Sequence, residues 1–311
     1  MFGHHTIRAG YSTNINRSKK KSINRLSFLP YLLILPLLIF IIFLSIYPTA
    51  LTLIDSFFNV NPLNPPVRFS GFNNYISVLS NSFVVESWVN TGLYMLIGVA
   101  LSTIFAVGIA IGLKDSFKGR AIVLAILILP WALPGVVEGT IWSWIYDPNF
   151  GVLNSVFHSL HLTNNYHVWL SGNRILTVFL IELVQVWQIT PLSAILILAS
   201  LQSIPSELYE AVRVDGASKW KVFTSITLPL IRPGLTIAMV ESLIASLNVF
   251  DQVYVLNGNA STGASVMLQT YNVTFGNLNF GQGYALSFMA VVVTMVFSVG
   301  VLKFVYRKVE F

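Results

Sequence analysis

Six stretches of this chain are apolar and long enough to cross a lipid bilayer, and this limits the fold more than any motif does. A span needs about 20 mostly apolar residues rising about 1.5 Å each. The first is LPYLLILPLLIFIIFLSIYPTAL, residues 29–51, and the others cover 88–113, 121–146, 175–200, 232–256 and 284–306. Hydrocarbon offers no partner to a backbone N–H or C=O, so such spans are helices and the fold class is an all-α membrane protein. Composition agrees: only 10% of the 311 residues are charged, against about 25% in soluble domains. The 29–51 run is too long for the core of a signal peptide, and no small-residue cleavage site follows it, so it reads as a retained helix. No internal repeat is visible. With no cysteine, disulfides and thiolate metal sites are excluded.

Lysine and arginine set the orientation. If residues 1–28, a basic tail without an acid, lie in the cytoplasm, that side collects all but Arg68 and Arg174 of the 18 Lys and Arg. Six spans then return the C-terminus to the same side. The net charge of +6 is therefore a topology signal at the cell membrane, not a nucleic-acid footprint. The tail reads as disordered, and residues 29–311 as one six-span transmembrane domain. On the opposite side, DPNFGVLN predicts a turn and a short surface helix, and 257–283 is an uncharged loop rich in Gly, Asn, Ser and Thr. His158, His161 and His167 lack a fourth ligand for zinc and read as surface histidines.

The acids inside the spans are the unusual residues. Glu138, Glu182 and Glu241 interrupt apolar runs, and Asp251 lies near the outer end of the fifth. A charge at the bilayer centre costs about 2.5–3.5 kcal/mol on insertion scales, so such residues line a polar path or bond to a neighbouring helix. The only Lys or Arg within the spans are Arg232 and Lys303, both at span ends, so none neutralises the acids, which disfavours anionic solutes. Trp142 and Trp144 suit an interfacial belt. Trp187, flanked by Gln185 and Gln188, suits a neutral, hydroxyl-rich solute needing amide hydrogen bonds and an aromatic platform. Pro130, Pro134, Gly135, Gly139 and Pro191 are expected to interrupt the third and fourth spans, as broken backbone around a cavity does.

One polar segment stands between apolar runs: SIPSELYEAVRVDGASKWKVFTSITLP, residues 203–229. Pro205 and Glu207 favour a helix start. Leu208, Ala211 and Val212 fall at helical spacing, Asp215-Gly216 supplies a stop, and Ser218 caps a second short helix ending before Pro229. A helix, a glycine turn and a helix tethered to two spans is a docking knob for a protein partner, with Glu207, Glu210, Ala211, Arg213, Asp215 and Gly216 at its surface.

Glu210-Ala211, Gly216 and Ile226-Thr227-Leu228-Pro229 resemble the EAA loop of ABC-importer permeases: E-A-A, three residues, G, nine residues, I-x-L-P. Val212 replaces the second alanine. LPWALPGVVEGTIW, YDPNFGVLN and LNVFDQVYVL are similar to the carbohydrate-importer branch, and the likeness runs from about residue 30 to the end. The resemblance implies a type I ABC-importer permease fold. It also implies a second homologous permease subunit, a dimeric ABC ATPase that grips the coupling loop, and an external solute-binding protein. Positions matching the family's solute contacts are Gln185, Gln188, Leu192, Ile244, Ala245 and Asn248. Leu192, Ile244 and Ala245 are apolar where maltose-type members carry polar or aromatic residues.

The chain has no G-x-x-x-x-G-K-[ST] to cradle phosphates, so ATP and Mg are expected on the partner ATPase, with no cofactor bound here. It also has no nucleophile elbow and no H-E-x-x-H. The substrate-path set is thus Glu138, Gln185, Trp187, Gln188, Leu192, Glu241, Ile244, Ala245, Asn248 and Asp251. Two rivals remain. An ion-coupled secondary transporter would use the intramembrane acids but leave the coupling loop unexplained. A membrane enzyme would need an acid–base or metal constellation that scattered Glu residues do not make.

Overall fold

The computed structural model describes residues 29–306, apart from residues 171, 215 and 259 and the side chain of Arg213. The basic tail 1–28, Asn259, Arg307 and Lys308 lie outside the described residues. The chain divides into two units at Ala50 and Leu51. The described part of the first is helical, with Leu29–Ile41 followed by a π turn, Ile42–Ile46, and by Tyr47–Asp55, which runs on into the second unit.

Among the described residues, four helices are long and apolar enough to cross a membrane: Pro30–Asp55, Ser82–Gly112, Arg174–Gln202 and Phe280–Val305. Two bent pairs bring the number to six: Arg120–Ala132 with Gly135–Ile145, at 97°, and Lys219–Leu230 with Arg232–Leu247, at 72°. The second span begins earlier than the expected residue 88, because Asn81 caps it by accepting from the Phe83 N–H. Two further expectations need correction. The fourth span is not interrupted: Arg174–Gln202 continues through Pro191, which is buried between neighbouring helices where one absent N–H is tolerated. The fifth is not continuous over 232–256, since Arg232–Leu247 ends and a separate helix, Asp251–Asn257, begins after Asn248–Phe250.

The core of the second unit is the packing of Ser82–Gly112, Arg174–Gln202 and Arg232–Leu247. Small residues let these helices approach, with Ala106, Ala110, Ala194 and Ala238 set among Ile197, Leu201, Ile231 and Leu235. Polar side chains stitch them together. Ser246 donates to Glu182 at 2.7 Å, Ser102 donates to Ser242 at 2.8 Å, and Ser193 donates to Glu241 at 3.2 Å. Toward the outer ends Arg174 pairs with Glu86.

The segment 257–283 is more than a polar loop. It contains a 3-10 turn Ser261–Gly263, a helix Val266–Tyr271 and a π turn Asn272–Gly276, with Val266, Leu268 and Val273 buried. Its backbone is held by the second span, because Asn90 donates to the carbonyls of Ser261 and Ala264, Tyr94 donates to Gly263, and Thr91 accepts from the Val266 N–H.

A Cβ at Gly98 would stand 2.0 Å from both Glu182 Oε1 and Ser246 Oγ, which are fully buried and bonded to each other. Gly98→Ala is therefore expected to break the Glu182–Ser246 bond and cost about 1–3 kcal/mol, read as a lower unfolding midpoint of the purified protein. An unchanged midpoint would show that these helices separate freely at this level.

Candidate functional site

The breaks in the third and fifth spans meet. Gly135–Ile145 packs against Asp251–Asn257 through glycines one turn apart, where a Cβ at Gly135 would lie 2.5 Å from Asp251 Oδ2 and one at Gly139 would lie 2.8 Å from Val255 Cβ. Asp251 is thereby held at the first turn of the Gly135 helix, where the peptide dipoles favour a negative charge. Glu138, one turn further on, is buried and accepts from Gln252 Nε2 at 2.9 Å.

These breaks open on a cleft of about 280 Å³ lined by Gly135, Gln185, Gln188, Ala245, Asn248, Val249, Phe250, Asp251 and Gln252. This is near the lower end of small-molecule sites, about 300 Å³. Inside it, Gln185 Nε2 donates to Gln188 Oε1 at 3.2 Å, and Gln188 Nε2 donates to the Leu133 carbonyl, freed by the third-span break, at 3.4 Å. Asn248 is exposed and donates to the Ile244 carbonyl at 2.7 Å.

Of the substrate-path candidates the cleft gathers Gln185, Gln188, Ala245, Asn248 and Asp251, while Glu138 stands behind it through Gln252. Leu192, Glu241 and Ile244 lie on the same helices nearer the 203–229 segment, outside the cleft lining. Glu241 accepts there from Ser193. Trp187 points elsewhere. Its ring meets Trp142 edge-on at 5.8 Å, and both line an apolar groove with Phe105, Ile126 and Leu183. Gln252 and Ser265 were not singled out in the sequence; Gln252, like Asn90 and Thr91, is marked by its place in an apolar run, whereas Ser265 sits in a polar stretch that gives no such signal. Ser265 donates to the Val249 carbonyl at the fifth-span break, at 2.6 Å.

The 203–229 segment forms the expected helix, glycine turn and helix. Ser206–Val214 ends with Gly216 at φ +70°, and the Ala217 N–H bonds the Val212 carbonyl at 3.2 Å, the six-residue closure that requires a left-handed residue. Ser218 caps the second helix by accepting from the Lys221 N–H. That helix does not end before Pro229: Lys219–Val222 runs on through a π turn, Phe223–Thr227, to Leu230. Proline sits in the first turn of the last piece, where no N–H is needed. Glu207, Glu210, Ala211 and Gly216 are exposed, and so are the large apolar Val214 and Trp220, at 87% and 72%. Asp215 and the Arg213 side chain lie outside the described residues. Tyr209 ties the knob down, with its hydroxyl 3.3 Å from Thr227 Oγ1 and Lys114 Nζ 3.3 Å from its ring centre. In the loop after the third span, His158 packs against Tyr166 and His167 against Trp169.

The family model of binding-protein-dependent transport system inner membrane components matches residues 104–310. The chain belongs to this family. It is 36% identical over 279 residues to the trehalose/maltose transport system permease protein MalF of Thermococcus litoralis, covering 88% of this chain and 92% of that one. It is 32% identical over 289 residues to the diacetylchitobiose uptake system permease protein DasB of Streptomyces coelicolor, covering 90% and 88%. The sulfoquinovosyl glycerol transport system permease protein SmoG of Agrobacterium fabrum is 31% identical over 271 residues, with 84% and 86% covered. The fold matches a chain of a crystallised bacterial ABC transporter involved in alginate import, with a TM-score of 0.76 at 21% identity over 91% of this chain and 97% of that one. The protein is thus a multi-pass, non-catalytic permease subunit, and ATP hydrolysis belongs to a separate subunit.

Glu138→Ala would leave the Gln252 amide without its acceptor beside the cleft. Such a loss costs about 1–3 kcal/mol, so thermal unfolding of the purified chain should begin at lower temperature, with Glu138→Gln less affected. Equal behaviour of Glu138→Ala and wild type would remove the bond from the account.

Proposed function

We propose that this chain forms one half of the membrane path of an ATP-driven importer. It moves a neutral, hydroxyl-rich solute of the sugar class into the cytoplasm by alternating access. The observation that carries this reading is the cleft at the two helix breaks. It offers amides from Gln185, Gln188, Asn248 and Gln252, an aromatic face from Phe250, and no Lys or Arg among its lining residues. Hydroxyls need donors and acceptors on their edges, and a sugar ring needs an apolar platform. The names of the relatives support the sugar class: trehalose/maltose and diacetylchitobiose are neutral, while sulfoquinovosyl glycerol is a sugar that carries a sulfonate.

The partners follow from what the chain lacks. A dimeric ATPase, holding ATP and Mg, grips the 203–229 knob through Glu207, Glu210, Ala211, Arg213, Asp215 and Gly216, with Val214 and Trp220 as apolar anchors. The knob joins the fourth and fifth spans directly and touches the end of the second through Lys114 and Tyr209. Motion there is passed to helices bordering the cleft. A second permease subunit completes the path, and an external binding protein delivers the solute. The excess of basic residues on one side supports a cytoplasmic knob and cytoplasmic termini. The ion-coupled alternative is weakened by the acids, since Glu138, Glu182 and Glu241 each already accept a bond from a neighbouring helix.

The test is uptake by the complete complex in proteoliposomes. Asn248→Ala is expected to slow sugar uptake at least several-fold with the subunits still assembled. Gly216→Val forces a β-branched residue into the left-handed region at roughly 1–2 kcal/mol, and should abolish ATP-driven uptake or motor binding. Uptake driven by an ion gradient without the ATPase would overturn the proposal.

A further inference from the structure

The cleft has one aromatic wall, Phe250. From that ring an unbroken series of aromatic contacts leads away from it, across four consecutive pieces of the chain on the side opposite the knob. Phe250 stacks on Tyr254 at 5.7 Å and meets Tyr271 at 5.4 Å. Tyr271 meets Phe275 at 5.3 Å, Phe275 meets Phe280 at 6.0 Å, and Phe280 meets Tyr284 at 6.3 Å. Tyr254, Tyr271 and Phe275 are exposed in the chain. The hydroxyls of Tyr254, Tyr271 and Tyr284 form no hydrogen bond with another described residue. From Gln252 to Leu302 the sequence contains no Asp, Glu, Lys or Arg.

A belt that only marks the membrane interface would spread around the helix bundle at one level. This series instead passes from helix to helix and converges on one residue, Phe250, which also lines the polar cleft. Aromatic faces flanked by free hydroxyls and by amides such as the exposed Asn277 suit a solute with one apolar face and a polar edge. Apart from Asp251 at the cleft, the surrounding sequence is uncharged, which matches a neutral one.

We propose that Phe250, Tyr254, Tyr271, Phe275, Phe280 and Tyr284 form a sugar-binding track along which the pyranose rings of the solute stack on their way to the cleft. The track rests on the sugar reading above and adds a site to it. Its rings act by stacking, so what matters at Tyr271 is the ring more than the hydroxyl.

The test uses the full complex in proteoliposomes, saturated with loaded binding protein, and radiolabelled glucose, maltose and trehalose as probes. One aromatic contact contributes about 0.5–1.5 kcal/mol, or roughly two- to twelvefold. Tyr271→Ala and Phe275→Ala should each slow uptake by that factor while ATP hydrolysis and subunit co-purification persist, and Tyr271→Phe should keep most of the wild-type rate. Wild-type rates in both alanine variants would overturn the track and leave the sugar reading standing. Loss of co-purification would overturn it too, assigning the rings to the partner subunit. If wild type imports none of the three sugars but does import a non-carbohydrate solute, the sugar reading falls and the track with it.

Discussion

A helix broken inside a membrane exposes backbone groups that hydrocarbon cannot satisfy, and the centre of this protein is arranged around meeting that requirement twice. At the third-span break Gln188 supplies a donor to the Leu133 carbonyl. At the fifth-span break Ser265 supplies one to Val249. Both donors reach across from other segments, so the breaks are stable only when the fourth span and the 257–283 segment are in place. The same demand collects amides at one level of the bundle, where they border the cleft. Polarity needed to hold the fold and polarity suited to a solute therefore share one address.

Close approach makes this possible. Gly98, Gly135 and Gly139 let carboxylates and helices come nearer than any larger residue would permit. Hydrogen bonds from Ser246 and Gln252 then hold the buried Glu182 and Glu138, and one from Ser193 holds the half-buried Glu241. The knob at 203–229 is braced within itself by the Tyr209–Thr227 contact and fastened to this core by Lys114 over the Tyr209 ring, and it presents Val214 and Trp220 outward. A rigid attachment with an apolar tip suits a lever whose partner lies outside the membrane.

The number of spans and the shape of the knob were legible in the sequence because both depend on local chemistry. Apolar length sets the spans, and Gly216 and Ser218 set the turn and the cap. What was not legible depends on contacts distant in sequence. Pro191 reads as a break, yet its helix is supported on several sides and continues. The 257–283 segment reads as a loop, because its burial relies on Asn90, Thr91 and Tyr94 more than 160 residues earlier. The cleft was half visible: Gln185, Gln188, Ala245, Asn248 and Asp251 come together as the pattern suggested. Trp187 turns to Trp142, since residues two apart on a helix face different ways.

The central claim is that force enters the membrane domain through the knob, and the absence of cysteine allows a direct measurement. A single Val214→Cys, at one of the most exposed positions of the knob, can be labelled with a bulky water-soluble maleimide in the isolated chain and in the assembled transporter. Labelling should be fast in the isolated chain and strongly suppressed in the complex, with the degree of suppression changing between nucleotide-free and ATP-trapped states. Equally fast labelling in both preparations would contradict the claim.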